Sequence, residues 1–90
     1  MIVKAAVKVK PFHEEHTYLI PCHRHADAYE ILHMFGYKQH TYEVICEGFI
    51  TSGGMFLDRY EAAEYAYNHG QLVEEPEREH ITQLFSEDLW

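Results

Sequence analysis

Ninety residues, 47% hydrophobic and 24% charged, make one folded domain with a thin stability margin and exclude a disordered chain. A net charge of −8 with only seven Lys and Arg excludes direct binding to a nucleic-acid duplex, which needs basic residues to displace counterions. Two cysteines, Cys22 and Cys46, are too few for a disulfide framework.

The first ten residues, MIVKAAVKVK, alternate lysine with apolar residues. Period two predicts a half-buried strand, with Val3, Ala5, Val7 and Val9 inward and Lys4, Lys8 and Lys10 outward. The stretch has no continuous apolar run, so it reads as neither a signal peptide nor a membrane span, and a reducing cytoplasm follows. HTYLIPC reads as a second strand, ended by Pro21, and closes an N-terminal hairpin.

From Arg24 the period lengthens. Ala28, Ile31, Leu32 and Phe35 recur at helical spacing, and Gly36 stands where a left-handed cap would end the helix. TYEVICE alternates again as a third strand, with Cys46 reading as a small core residue. GFITS and MFLD then flank Gly53-Gly54, which predicts a separate hairpin whose paired glycines supply positive backbone angles. Asp58, with Glu61 three residues on, is a capping-box pattern for a second helix. Ala62, Ala63 and Ala66 let that helix lie close on a sheet, and Gly70 ends it. A short C-terminal helix is expected from Pro76, with Ile81, Leu84 and Phe85 on its apolar side. Trp90 is expected to dock on its own domain or a neighbour.

The implied fold is a single α+β domain, residues 1–90: a small, mainly antiparallel sheet with two main helices on one face and a short C-terminal helix. Seven Tyr and five Phe in so short a chain point to aromatic burial between subunits, hence a homo-oligomer.

Three chemistries compete for the cluster PCHRHAD. Zinc would use Cys22, His23 and His25, with Cys46 as a distant fourth ligand, but structural zinc sites show two spaced ligand pairs and this chain does not. No metal or cofactor is therefore assigned. Catalysis would take His23 or His25 as general acid or base for a phosphodiester, without a second positioned group. Anion binding fits best. Arg24 and His25 open one helix and Arg59 opens the other, where free N–H groups and the helix dipole favour negative charge. Thr51, Ser52 and His23 would add donors, and Tyr29, Phe49, Phe56 or Tyr60 would stack on a base. The alternative is that both arginines pair with the abundant surface acids.

The strings RHADAYEIL, GFITSGGMFLDRYEAAEYAYNHGQ and LFSEDLW resemble an uncharacterised group of small phage- and prophage-borne proteins. That group has an R-H pair opening a helix, a G-F-x-T-x-x-G-x-F-x-x-R-x-E-A block and a closing S-E-D-L-W, and the likeness spans most of residues 23–90. By this resemblance the R-H pair is Arg24 and His25, and the block's arginine is Arg59. Where the group often carries Arg after the turn, this chain has Met55, which weakens a phosphate role for the hairpin tip. The resemblance implies a host bacterial cytoplasm and action by binding rather than catalysis. The expected ligand is a small phosphorylated molecule of nucleotide type, such as a host immune signal. The alternative is an acidic, anti-CRISPR-like inhibitor of a host protein, presenting Glu74, Glu75, Glu77 and Glu79.

Overall fold

The computed structural model describes residues 1–72 and 83–90. The expected helix start at Pro76, Ile81 and the acidic run Glu74–Glu79 lie outside the described residues. Chain order is β1 (Ile2–Pro11), β2 (Tyr18–Cys22), α1 (His25–Met34), β3 (Tyr42–Thr51), β4 (Phe56–Asp58), α2 (Arg59–Asn68) and a 3-10 turn at Ser86–Asp88. The strands form one antiparallel sheet in the order β2-β1-β3-β4. α1 packs over β1 and β2, and α2 over β3 and β4. The fold is α+β, as composition and periodicity led one to expect.

The third and fourth predicted strands are one strand. TYEVICE and GFIT run on without a break as β3, and Gly48 is its middle rather than a boundary. A side chain at Gly48 would collide with the Leu57 carbonyl oxygen and lie 2.6 Å from the Phe56 ring, so the glycine marks where β4 crosses closely. The hairpin that follows needs only one glycine with a positive φ: Gly54, at +85°, closes a three-residue loop between Thr51 and Met55. Pro21 does not end β2. It sits within that outer strand opposite Ala6, and an edge strand is where a sheet tolerates proline.

Alternation in β1 puts Ala5, Val7 and Val9 in the core, but Ala6 between them is fully buried too, and the pattern fails at the strand's start. A register shift between Ile2 and Lys4 leaves Val3 as an extra residue, 48% exposed, while Ile2 takes the buried place. Phe35 is likewise exposed, because it caps α1 and lies past the last helical turn. Cys46 pairs with Lys8 on the face away from the helices, so it is not a core residue; Cys22, opposite Ala5, is.

The core lies between the sheet and the helices. Phe49, Ile2, Val7, Val9 and Leu84 are its largest fully buried side chains, each contributing about 1.5–3 kcal/mol by leaving water. Ala28, Ala62, Ala63 and Ala66 have no exposed surface and set the close approach of the helices.

Both helices end alike. The N–H of Gly36 bonds to His33 and that of Tyr37 to Leu32; Gly70 bonds to Tyr67 and Gln71 to Ala66. Each is a Schellman motif with glycine at the left-handed position, φ +93° and +63°. The two helices point apart. Beyond α2, Gln71 clasps both backbone groups of Ile2, whereas at the end of α1 Leu32, Phe35 and Tyr37 line a hollow together with Val9 and Pro11. Their N-termini therefore meet over the middle of β3.

Candidate functional site

Two different devices start the helices. At α2 the Asp58 carboxylate accepts from the N–H groups of Tyr60 (2.9 Å) and Glu61 (2.7 Å), and Glu61 accepts from the Asp58 N–H at 3.1 Å. This is the capping box read from the spacing. At α1 the cap residue is Arg24, whose side chain cannot accept a hydrogen bond; Asp27 accepts from the Arg24 N–H at 3.2 Å. The first turn of α1 thus has no side-chain oxygen from Arg24 as a cap, although the Arg24 carbonyl accepts from the Asp27 N–H at 3.0 Å.

Where the N-termini meet, a polar chain crosses the core. His25, 7% exposed, donates from Nε2 to the Gly48 carbonyl at 2.8 Å. A carbonyl only accepts, so the proton is on Nε2 and Nδ1 is free to accept from Arg59 Nη2 at 3.4 Å. Burial, foremost, and the Arg59 charge pull the His25 pKa below its ordinary value. Arg59 also donates to the Leu84 carbonyl at 2.7 Å, pairs with Glu47 at 3.4 Å and lies 4.6 Å over the Phe85 ring. Glu47 accepts in turn from the Tyr29 hydroxyl at 3.0 Å. Burial and that bond push the Tyr29 phenol up to about 12.

Beside this chain lies a cleft of about 530 Å³ lined by Arg24, His25, Ala26, Asp27, Arg59 and the tail residues Phe85, Ser86 and Glu87. The structure brings Arg24, His25 and Arg59 together here, but not as three free cations. Arg59 is occupied, its side chain only 16% exposed. His25 has partners on both ring nitrogens. Arg24 is the least satisfied: its Nη1 is buried without a hydrogen-bond partner among the described residues, 3.8 Å from Glu87, within ion-pair range but beyond hydrogen-bonding distance.

The remaining candidates lie elsewhere. Thr51 and Ser52 are at the β3–β4 turn, where Thr51 Oγ1 accepts from the Met55 N–H and the Ser52 N–H bonds to Met1. They do not line the cleft. His23 is outside it too, stacked with Trp90 at 5.5 Å, and the Trp90 indole donates to the His23 carbonyl at 2.8 Å. Of the proposed stacking residues, Phe49 is fully buried, Phe56 lies beneath Lys8 on the opposite sheet face, and Tyr60 accepts from Gln83. Among the described residues no three of His, Cys, Asp or Glu gather as a metal site. Cys22 and Cys46 face opposite sides of the sheet.

Two parts of the site were not anticipated. Glu47, the counter-charge to Arg59, sits on the helix-facing side of β3, two residues before Phe49; a carboxylate at an inward strand position was the available signal. The tail residues Phe85, Ser86 and Glu87 form one wall of the cleft, next to the fully buried Leu84, with Ser86 itself 2% exposed. A terminal tryptophan signalled docking, but nothing in the sequence said where.

No helix among the described residues is long and apolar enough to cross a membrane. No curated protein and no solved structure matches the chain. A protein-family model described as "Phage T4 y16D protein" matches residues 1–90, its whole length. The chain accordingly belongs to the phage T4 y16D protein family.

Proposed function

We propose that this phage protein is a non-catalytic binder of a small phosphorylated ligand of nucleotide size, held in the cleft between the start of α1 and the C-terminal tail. One observation carries the reading: Arg24 places a buried guanidinium N–H, without a hydrogen-bond partner among the described residues, beside the first turn of α1, which has no side-chain oxygen as its cap. A phosphate oxygen there would satisfy Arg24 and meet the positive end of the helix dipole. Phe85, 46% exposed, has one face against the Arg59 guanidinium and offers an aromatic surface to a base.

Charge limits the ligand. Asp27 and Glu87 also line the cleft, Arg59 is paired with Glu47 and Arg24 lies in ion-pair range of the exposed Glu87, so Arg24 and the helix terminus attract an anion against that neighbouring carboxylate. A single phosphoryl group suits this balance better than a triphosphate. Binding rather than turnover is supported by His25, since neither ring nitrogen is free to move a substrate proton.

Isothermal titration against linear and cyclic nucleoside monophosphates and ADP-ribose tests the reading. Binding is expected to vanish in Arg24→Ala and to survive in part in Arg24→Lys. No member of the panel binding more tightly than about 1 mM, roughly 4 kcal/mol, would overturn it. Mass spectrometry of the ligand after long incubation should return it intact.

A further inference from the structure

β3 has ten residues and its outer neighbour β4 only three, which pair with Gly48, Phe49 and Ile50. Tyr42–Glu47 therefore has β1 on one side and, among the described residues, no strand on the other. Alternate residues of an extended chain turn their N–H and C=O groups sideways. This stretch offers such groups to whatever lies next to it, and only another extended backbone pairs a row of them.

The edge is only partly guarded. Lysine, proline, short length, bulges and inward-pointing charges are the usual defences of an outer strand, and of these the stretch has the bulge at Ile45 and the inward Glu47. β2, at the far side of the sheet, carries Pro21; Tyr42–Glu47 contains neither lysine nor proline. Val44 and Ile45 are instead 41% and 47% exposed. At the Tyr42 end of the stretch lies a groove of about 520 Å³ against α1, lined among others by Tyr29, Met34, Tyr37 and Tyr42. Met34 is 83% exposed at its rim.

We infer that this edge is a homodimer interface, in which β3 pairs antiparallel with β3 of a second copy about a two-fold axis. The sequence of the edge selects the occupant and the register. With the axis between Val44 and Ile45, each Val44 faces Ile45 of the other copy, Glu43 faces Cys46 and Tyr42 faces Glu47. Apolar residues meet at the centre and no like charges stand opposite one another. Moving the axis onto Ile45 would set Glu43 against Glu47, a like-charge pair, so the first register is preferred. The register shift between β1 and β3, which leaves Ile45 as an extra residue, twists the strand locally and keeps the ladder short. The dimer is accordingly reversible on dilution. The interface is separate from the phosphate cleft and stands whether or not a ligand binds there.

Sedimentation equilibrium over a concentration series tests it. The wild-type protein should pass from monomer to dimer as concentration rises, while Val44→Lys/Ile45→Lys stays monomeric with its circular dichroism unchanged. Hydrogen exchange on the unmodified protein gives a second measure: amides within Tyr42–Glu47 should become protected as concentration rises. Glu43→Cys should form a symmetric disulfide dimer through Cys46 on oxidation. A wild-type chain that stays monomeric up to about 1 mM, far weaker than specific interfaces of standard size, overturns the inference. So does a dimer that the double lysine variant leaves intact, or one whose formation fails to protect Tyr42–Glu47. A dimer in which Glu43→Cys does not cross-link overturns the register, and with it the pairing.

Discussion

The His25 imidazole and the Gly48 carbonyl are joined by a 2.8 Å hydrogen bond that pins the start of α1 to the middle of β3. The bond fixes the tautomer, and the tautomer fixes what Arg59 does. With its proton on Nε2, His25 turns a lone pair towards the Arg59 guanidinium. A protonated His25 would turn a second N–H towards a cation. Burial and Arg59 both oppose that state, which is why the pKa of His25 is lowered.

This depression makes stability depend on pH. The unfolded chain takes up a proton near the ordinary histidine value, about 6.5, whereas the folded chain resists it. The contribution is fully present above that value and is lost as pH falls through it towards the lower folded pKa. Urea midpoints should drop between about pH 7.5 and about pH 5.5, and His25→Gln should flatten that part of the profile. Identical slopes in the two proteins would show that His25 is not responsible.

Gly48 should tolerate no side chain. In Gly48→Ala the new methyl would meet the Leu57 carbonyl, which is backbone, as well as the Phe56 ring. Relief requires β4 to move away from β3. A loss of about 2–3 kcal/mol is expected in chemical denaturation, at the upper end of overpacking costs. A change below about 0.5 kcal/mol, typical of a free surface position, would contradict the close crossing.

Arg59 and Asp58 are neighbours with unequal structural roles. Reading the chain alone, Arg59→Ala should spare the fold, since Asp58 is the cap. The contacts of Arg59 with Glu47, Leu84 and Phe85 reverse that expectation. Arg59→Ala should cost about 2–3 kcal/mol, because the half-buried Glu47 loses its partner. Asp58→Ala should cost about 1 kcal/mol through the lost cap. Thermal melts of both variants rank them, and a milder effect for Arg59→Ala would remove it from the supporting network.

The two thiols should differ in reactivity. Cys22 is buried, and burial pushes its thiol up to about 11; Cys46 is partly exposed and raised as well, by burial first and then by the Asp58 charge. In dilute protein at about pH 8, near the pKa of a free thiol, a disulfide reagent should titrate Cys46 first and Cys22 only on unfolding. Equal rates for both would mean that β2 opens readily.

What could be read from the chain was local. The Asp58–Glu61 capping box spans three residues, and the Gly36 and Gly70 helix ends depend on neighbouring turns, so their chemistry is written in adjacent letters. Alternation from Ala5 to Val9 likewise marked a strand with one face on the core. Arg24, His25 and Arg59 could be named as helix starters for the same reason.

Whether those residues are free or occupied was decided only by tertiary structure. His25 meets a carbonyl 23 residues away, and Arg59 meets a backbone oxygen 25 residues away. Contacts at such separations depend on how β3 passes beneath both helices, and local periodicity carries no trace of that passage. The merging of two predicted strands has the same origin: Gly48 reads locally as a breaker, yet it is required in mid-strand because Leu57 and Phe56 arrive there from another part of the chain. Local sequence determined which elements form, since caps and alternation act over a few residues. Packing determined which arginine is occupied, because the acid and carbonyl that satisfy Arg59 reach it only once the sheet is assembled.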